Sequence, residues 1–386
     1  MSTSLAATGR STPRIARPIH DTSATVRGLF TPMTMHDLLR DLTALPAPTG
    51  QEDAVIDWLA QEWKGRGEVT RTPVGNILLR FPGPGPRVLL AAHADELSMI
   101  VRCVTADGFL RVVPGERDHF ASPHFLGAVV QILGSAGDMV PGVFASTTGH
   151  ALTLEQRDRL KLSWDDVFVD TGLTAQELRD YGIGIGTRMV WDAPLRRMGR
   201  LVVGKALDDR VGVAALVGLA RLLDPSALRF DVTLAATVQE EIGLLGAASL
   251  ARGGREYDIG IIIDNGLAGD IPTVSSEHMP VVLGGGPALV HRDSSAHYSG
   301  RLIRELHEIS RSKGIPVQDS VLYHYSSDGA NLVRQGMETV LVAPPIRYSH
   351  SPFEAMDPAD LEATVLLLAA FLGPDENRPG PREARD

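Results

Sequence analysis

The sequence predicts an α/β fold, a mixed sheet flanked by helices and interrupted by an inserted β-rich domain. Three observations predict it. Unbroken apolar runs such as RVLLAAHAD, DVTLAATVQ and YDIGIIID read as strands buried on both faces. Segments with helical spacing of apolar residues alternate with these runs, as in a layered α/β domain. Between about Ser98 and Arg197 the texture changes to short alternating runs separated by Gly-containing turns, the pattern of a β-rich module. The 386 residues are enough for a large core domain plus a smaller one, and the 44% apolar content is that of a folded globular chain.

Taken in order, TGQEDAVIDWLAQEW opens with Thr49 and carries Glu52 three residues on, a capping-box pattern. Val55, Leu59 and Trp63 then recur at spacing four, which makes an amphipathic helix. GNILLRF and RVLLAAHAD come next as strands. The middle segment supplies FLRVV, AVVQILG, DVFVDTG and TRMVWDA as short strands, with one polar helix expected around LEQRDRLKLSW. Beyond it, RLVVGKAL is a strand, DDRVGVAALVGLARLL a helix, and DVTLAATVQ and YDIGIIID are strands. SGRLIRELHEISRSKG is a helix, TVLVAPP a strand, and a last helix begins at Asp357-Pro358, good residues for the N-cap and first helical positions. The expected organisation is a disordered N-terminal extension over 1–32, a discontinuous α/β domain over 33–97 and 198–373, the inserted β-rich domain over 98–197, and a polar, Pro-rich tail over 374–386. An Arg- and Ser-rich organelle transit segment is the alternative reading of the first stretch.

A formal net charge of -10 disfavours nucleic acid and anionic membrane as partners. No apolar stretch reaches the roughly 18 residues that span a bilayer, and no secretory apolar region stands at the N-terminus, so the expected location is the cytoplasm. Cys103 is the only cysteine, which excludes an internal disulfide and a zinc-thiolate cluster; a lone cysteine reads as a small core residue.

The chemistry-bearing residues come directly after the apolar runs. His93 and Asp95 follow VLLAA, Asp208 and Asp209 follow LVVGKAL, Glu240 and Glu241 follow VTLAATVQ, Asp264 ends IGIIID, and His350 lies beyond VLVAPPIRYS. Open α/β sheets bind ligands beyond the carboxyl ends of their strands. Imidazoles and carboxylates gathered there suit zinc, cobalt or manganese. Residues two apart on a strand point the same way, so Asp95 is placed to accept a hydrogen bond from the ring nitrogen of His93 that faces away from a metal. Neighbours on extended backbone diverge, so one of Glu240 and Glu241 is free to act as a base while the other holds metal. Each residue also has a plain structural use: Asp208-Asp209 as a helix cap, Asp264 as a turn cap with Asn265-Gly266, and the Glu pair as solvated surface. The coincidence of five strand ends tips the reading towards function. Of the other histidines, His324, with Tyr325 in YHYSSDGANL, sits in a segment that reads either as a pocket-lining loop or as packing.

At these residues the sequence resembles the metallo-aminopeptidases that include glutamyl aminopeptidase and the TET aminopeptidases. The motifs are HADELSMIV, GKALDDRVGVAAL, QEEIGLLGA and PIRYSHSPFE, and the resemblance runs from about Met35 to Gly373. It implies a zinc-exopeptidase-like fold and an enzyme that removes N-terminal residues from peptides with two divalent metal ions, zinc first, with cobalt or manganese as alternatives. It implies that His93, Asp208 and Asp264 hold one ion and that Asp208 (bridging), Glu241 and His350 hold the other. Glu240 is then the general base and Asp95 the orienter of His93. It further implies self-association through the inserted domain into a dodecamer built from dimers. The N-terminal extension and the YHYSSDG loop depart from the family pattern. An acyl-amino-acid or specialised dipeptide amidase using the same site is the alternative function. Glycoside hydrolysis fits poorly, because adjacent strand carboxylates point apart and the histidines go unused. A non-catalytic assembly module would not need an intact base and ligand set.

Overall fold

The computed structural model describes residues 34–116, 124–135, 137–155, 161–251 and 256–374. The N-terminal extension, nearly all of the C-terminal tail and the centre of the polar helix expected around LEQRDRLKLSW lie outside the described residues. The described residues from Met35 onward form one compact unit.

Two helices open it, α1 (Met35–Ala44) and α2 (Asp53–Glu62), followed by strands β1 (Glu68–Arg71), β2 (Ile77–Phe81) and β3 (Arg87–His93). Then come β4 (Ser98–Val104), β5 (Leu110–Pro114), β6 (Val129–Leu133), β7 (Met139–Ser146), β8 (Val167–Asp170), helix α3 (Ala175–Asp180) and β9 (Arg188–Trp191). The chain returns through β10 (Arg196–Met198), β11 (Leu201–Gly204), α4 (Leu207–Leu222), β12 (Asp231–Thr237), α5 (Leu245–Ala251), β13 (Ile259–Ile263) and β14 (Gly266–Leu267). It ends with β15 (Ala288–Arg292), α6 (Gly300–Lys313), β16 (Gln318–Val321), α7 (Gly329–Arg334), β17 (Glu338–Ala343), β18 (Pro345–Ile346), β19 (Glu354–Met356) and α8 (Pro358–Leu372).

Eight strands form the main sheet in the order β1-β2-β12-β3-β13-β17-β15-β16. Its four central strands, β12, β3, β13 and β17, are mutually parallel, while β2 and β15 flank them antiparallel, so the sheet is mixed. The central strands are apolar through most of their length because helices cover both faces. Gly212 of α4 lies over Ala92, and Gly260 lies under Leu332 of α7. Gly260 pairs with Leu89, which faces away from Ala92, so the two helices sit on opposite sides. Gly212 is needed for the close approach: a Cβ there would collide with the Asp209 carboxylate and stand 2.8 Å from the Ala92 Cβ. Helix α8 is apolar around its circumference and correspondingly buried, capped by Asp357, whose carboxylate accepts from Ala359 N–H.

Strands β4–β9 close into a separate barrel in the order β4-β5-β8-β7-β6-β9. Its interior is apolar, with Met99, Val101, Leu110, Val130, Ile132 and Phe144 among the buried side chains. Phe144 meets Trp191 and Trp164 edge to face, with centroids 5.7 and 6.0 Å apart. Cys103 is not a core residue: it is exposed. The pairing of β4 with β5 shifts register between Val101 and Cys103, and this bulge turns Cys103 outward from the period-two inner face of Met99 and Val101.

The barrel is inserted between β3, which ends at His93, and the β10–β11 pair of a separate small sheet, which leads to Asp208.

Candidate active site

Four of the sequence-predicted residues come from three adjacent parallel strands of the main sheet. His93 ends β3, Glu240 and Glu241 follow β12, and Asp264 follows β13; His350 arrives beyond β17, between β18 and β19. Asp208 does not come from this sheet. The strand before it, β11, belongs to a three-stranded sheet with β10 and β19. The expectation of five ends of one sheet is therefore corrected: an apolar run reveals a buried strand without revealing which sheet it joins.

The side chains nevertheless meet. His93 Nε2 is 3.1 Å from Asp208 Oδ1 and 4.0 Å from Asp264 Oδ1. His350 Nε2 is 3.5 Å from Asp208 Oδ2 and 3.7 Å from Glu241 Oε2. Donor atoms of His93, Asp208 and Asp264 all lie within 4.8 Å of one another, as do those of Asp208, Glu241 and His350, and those of His93, Glu240 and Glu241. Asp208 is common to the first two groups. Asp209 points elsewhere: its carboxylate accepts from Gly212 N–H at 2.9 Å and His93 N–H at 3.3 Å, so it caps the helix while Asp208 faces the cluster. The Asp208–Asp209 peptide is cis, and both residues have non-helical dihedrals.

Asp95 is a hub. Its Oδ1 is 3.3 Å from His93 Nδ1 and accepts from Glu240 N–H at 3.0 Å. Its Oδ2 accepts from Glu241 N–H at 3.1 Å and from Thr49 Oγ1 at 3.0 Å. One buried carboxylate thus lies beside the ring of His93, whose Nδ1 makes no hydrogen bond, and holds the backbone of both glutamates. The capping box expected at Thr49 and Glu52 is absent. Thr49 donates to Asp95, and Glu52 accepts from Gly50 and Gln239 N–H instead of closing the helix. The same residue types serve both purposes, and the strand ends compete better for them.

Glu354, which sequence reasoning passed over, accepts from Asp208 N–H at 2.9 Å and His350 N–H at 3.2 Å, tying together the motifs that carry Asp208 and His350. Ser349 Oγ donates to Asp208 Oδ2 at 3.1 Å. Below the cluster, Glu96 takes both the Lys205 ammonium and the Arg210 guanidinium, which also donates to Ala94 O. This buried pairing joins the loop after His93 to the loop that carries Asp208. Glu354 and Glu96 both carry a sequence signal, a carboxylate inside a motif of buried apolar residues, but their partners are set by tertiary structure.

Burial dominates the electrostatics. It pushes Glu241 up to about 8 and Asp264 up to about 7, with Asp208 repulsion adding to both. Glu240 is raised well above the usual range, by burial first and then by Asp264, Glu241 and Asp328. Burial works against charge on His350 too, but Glu241 and Asp208 overcome it and raise the imidazole to about 10. The same contest raises His93, through Asp208 and Asp95. Asp208 is held low because His350 and His93 outweigh its burial. Carboxylates outnumber imidazoles here, and Glu241 Oε1 is buried with no hydrogen-bond partner. A buried excess of oxygen donors with two imidazoles is a donor set that divalent cations neutralise, and the residues fit such ions.

The cluster forms the floor of a cavity of about 520 Å³. Leu244, Leu267, His324, Tyr325 and Arg334 contribute to its wall, so the YHYSSDG loop lines the cavity. Tyr325 donates to Asn265 O at 2.9 Å, securing the turn after Asp264.

The parallel centre of a mixed sheet brings His93, Glu240, Glu241 and Asp264 to the floor of an open cavity, where Asp208 and His350 join them, and the class is that of a hydrolase built at strand ends around an acid and imidazole centre. The model of M42 glutamyl aminopeptidase matches residues 75–367, and the chain belongs to this family of peptide hydrolases. It is 31% identical over 344 residues to FrvX of Escherichia coli (strain K12), provisionally an aminopeptidase, a match covering 87% of this chain and 94% of FrvX. Among solved structures it resembles aminopeptidase APDkam598 from Desulfurococcus kamchatkensis, with a TM-score of 0.82, 30% identity and coverage of 88% and 94% of the two chains. It also resembles the Pyrococcus horikoshii TET1 peptidase, which assembles into a tetrahedron or a large octahedral shell, with a TM-score of 0.79, 28% identity and coverage of 88% and 99%. No helix among the described residues is long and apolar enough to cross a membrane.

Proposed function

We propose that this enzyme removes N-terminal residues from peptides with two divalent metal ions and Glu240 as general base. The observation that carries the reading is the sharing of Asp208 between two donor groups, one with His93 and Asp264 and one with Glu241 and His350, beside a glutamate outside both. His93, Asp208 and Asp264 would hold one ion, and Asp208, Glu241 and His350 the other; zinc is the first choice, with cobalt and manganese suiting the same donors. When bound, the ions supply the positive charge that polarises the scissile carbonyl and acidifies the attacking water.

The chain's own residues do the rest. Glu240 accepts the proton of the attacking water and delivers it to the leaving nitrogen. Asp95 sits beside the His93 ring as its orienter and keeps Glu240 and Glu241 apart by gripping their backbone N–H groups. The cavity wall receives the first side chain of the peptide.

Self-association through the barrel belongs to the same proposal. The TET1 relative forms a tetrahedron, and a tetrahedron with one dimer on each edge is a dodecamer.

The test is hydrolysis of paired aminoacyl and N-acetyl-aminoacyl amides, with chelator and with zinc, cobalt or manganese restored. Metal-dependent cleavage confined to substrates with a free amine is expected. Cleavage of the acetylated set would move the enzyme to the amidase reading.

A further inference from the structure

Asp328 is a buried carboxylate with 2% exposure that the mechanism above does not use. It stands at the N-cap position of α7, where a capping aspartate is common, yet its side chain makes no capping hydrogen bond. Oδ2 instead lies 2.6 Å from Thr237 Oγ1, and Oδ1 is buried with no hydrogen-bond partner. Thr237 is the last residue of β12 and pairs in register with His93. Its one hydroxyl proton goes to the shorter contact with Asp328, and the hydroxyl also lies 3.2 Å from Ala92 O on the neighbouring central strand.

The course of the chain beyond Thr237 makes this contact matter. Gln239 has a φ of 56°, and the backbone turns sharply there. The four N–H groups after Thr237 all donate to side chains: Val238 to Asn76, Gln239 to Glu52, and Glu240 and Glu241 to Asp95. The turn that presents Glu240 is therefore held at its tip by distant carboxylates and an amide. Its root is Thr237, and Asp328 holds Thr237 from the loop that lines the cavity.

We propose that Asp328 is a positioning residue for Glu240, acting through Thr237 to fix where the chain leaves β12 and hence where the base carboxylate points. The proposal rests on Glu240 being the base. It connects the cavity-lining loop to that base, since Asp328 belongs to the YHYSSDG segment.

The experiment is a double-mutant cycle on Thr237→Val and Asp328→Ala, with Asp328→Asn and Thr237→Ser as conservative partners. Each variant is assayed for kcat, KM, bound metal and melting temperature. Misplacing a catalytic group costs up to roughly 100-fold, so a drop of up to that size in kcat is expected for each single variant, with KM and bound metal unchanged. The double variant is expected to be no worse than the poorer single one, because both break the same link. Asp328→Asn and Thr237→Ser keep a hydrogen bond between the two side chains and are expected to recover most of kcat. Additive losses, an unchanged kcat in Asp328→Ala, or conservative variants as poor as the truncations would overturn the proposal. If Asp328→Ala fails to fold, Thr237→Val against Thr237→Ser decides the same question. Activity retained by Glu240→Gln would instead remove the base assignment itself, an outcome distinct from any result of the cycle.

Discussion

The barrel and the strand-end site both bury their side chains, and they hold them together by opposite means. The barrel closes over apolar side chains such as Val101, Ile132 and Phe144, whose packing depends on volume and shape rather than on direction. The site closes over Asp95, Asp208, Glu240, Glu241 and Asp264, each of which needs a named donor or a counter-charge. An apolar interior tolerates swaps that conserve volume, whereas a polar one fails on an isosteric change that removes a single charge or lone pair. Stability should therefore reside mainly in the first kind of region and chemistry in the second.

The largest expected effect tests the barrel side of that contrast. Phe144→Ala removes a fully buried ring from its contacts with Trp164 and Trp191 and should cost about 3–5 kcal/mol of unfolding free energy by denaturant titration. Bound metal and kcat of the folded fraction should not change. A parallel loss of metal affinity would mean that the barrel and the site are one energetic unit.

A smaller effect, on the site side, comes from Asp95→Asn. The amide matches the carboxylate in shape but turns one acceptor into a donor facing the N–H of Glu240 or Glu241. Metal affinity or activity should fall about 10- to 100-fold, and the N–H left without an acceptor should cost about 1–3 kcal/mol of stability, less than Phe144→Ala. If the variant binds metal and turns over normally, the hub described for Asp95 is not needed.

The same contrast explains what the sequence made legible. Apolar runs revealed β3, β12, β13 and β17 because a strand covered on both faces needs unbroken hydrophobicity, and β3, β12 and β13 carry His93, Glu240 and Asp264 at their ends. The edge strand QDSV was not legible, since exposure removes the pattern. Asp208 was legible as a candidate but not its small sheet, because sheet membership depends on hydrogen bonds between distant segments. Thr49 and Glu52 read as a capping box, and Asp328 sits where a cap would; in both places the structure commits the side chain to a neighbouring strand end. Local rules fail there because the buried donors of the site are stronger partners than a helix terminus. Cys103 failed for a different reason, a bulge that alternation cannot anticipate.

The most direct test of the central claim is Glu240→Gln, purified and assayed for bound zinc, cobalt or manganese alongside turnover of a free-amine substrate. The amide keeps the shape of the side chain but has no site for the proton of the attacking water. Two metal ions per chain should remain, and kcat should fall about 10²- to 10⁴-fold. Turnover at the unaltered rate with metal still bound would contradict the account.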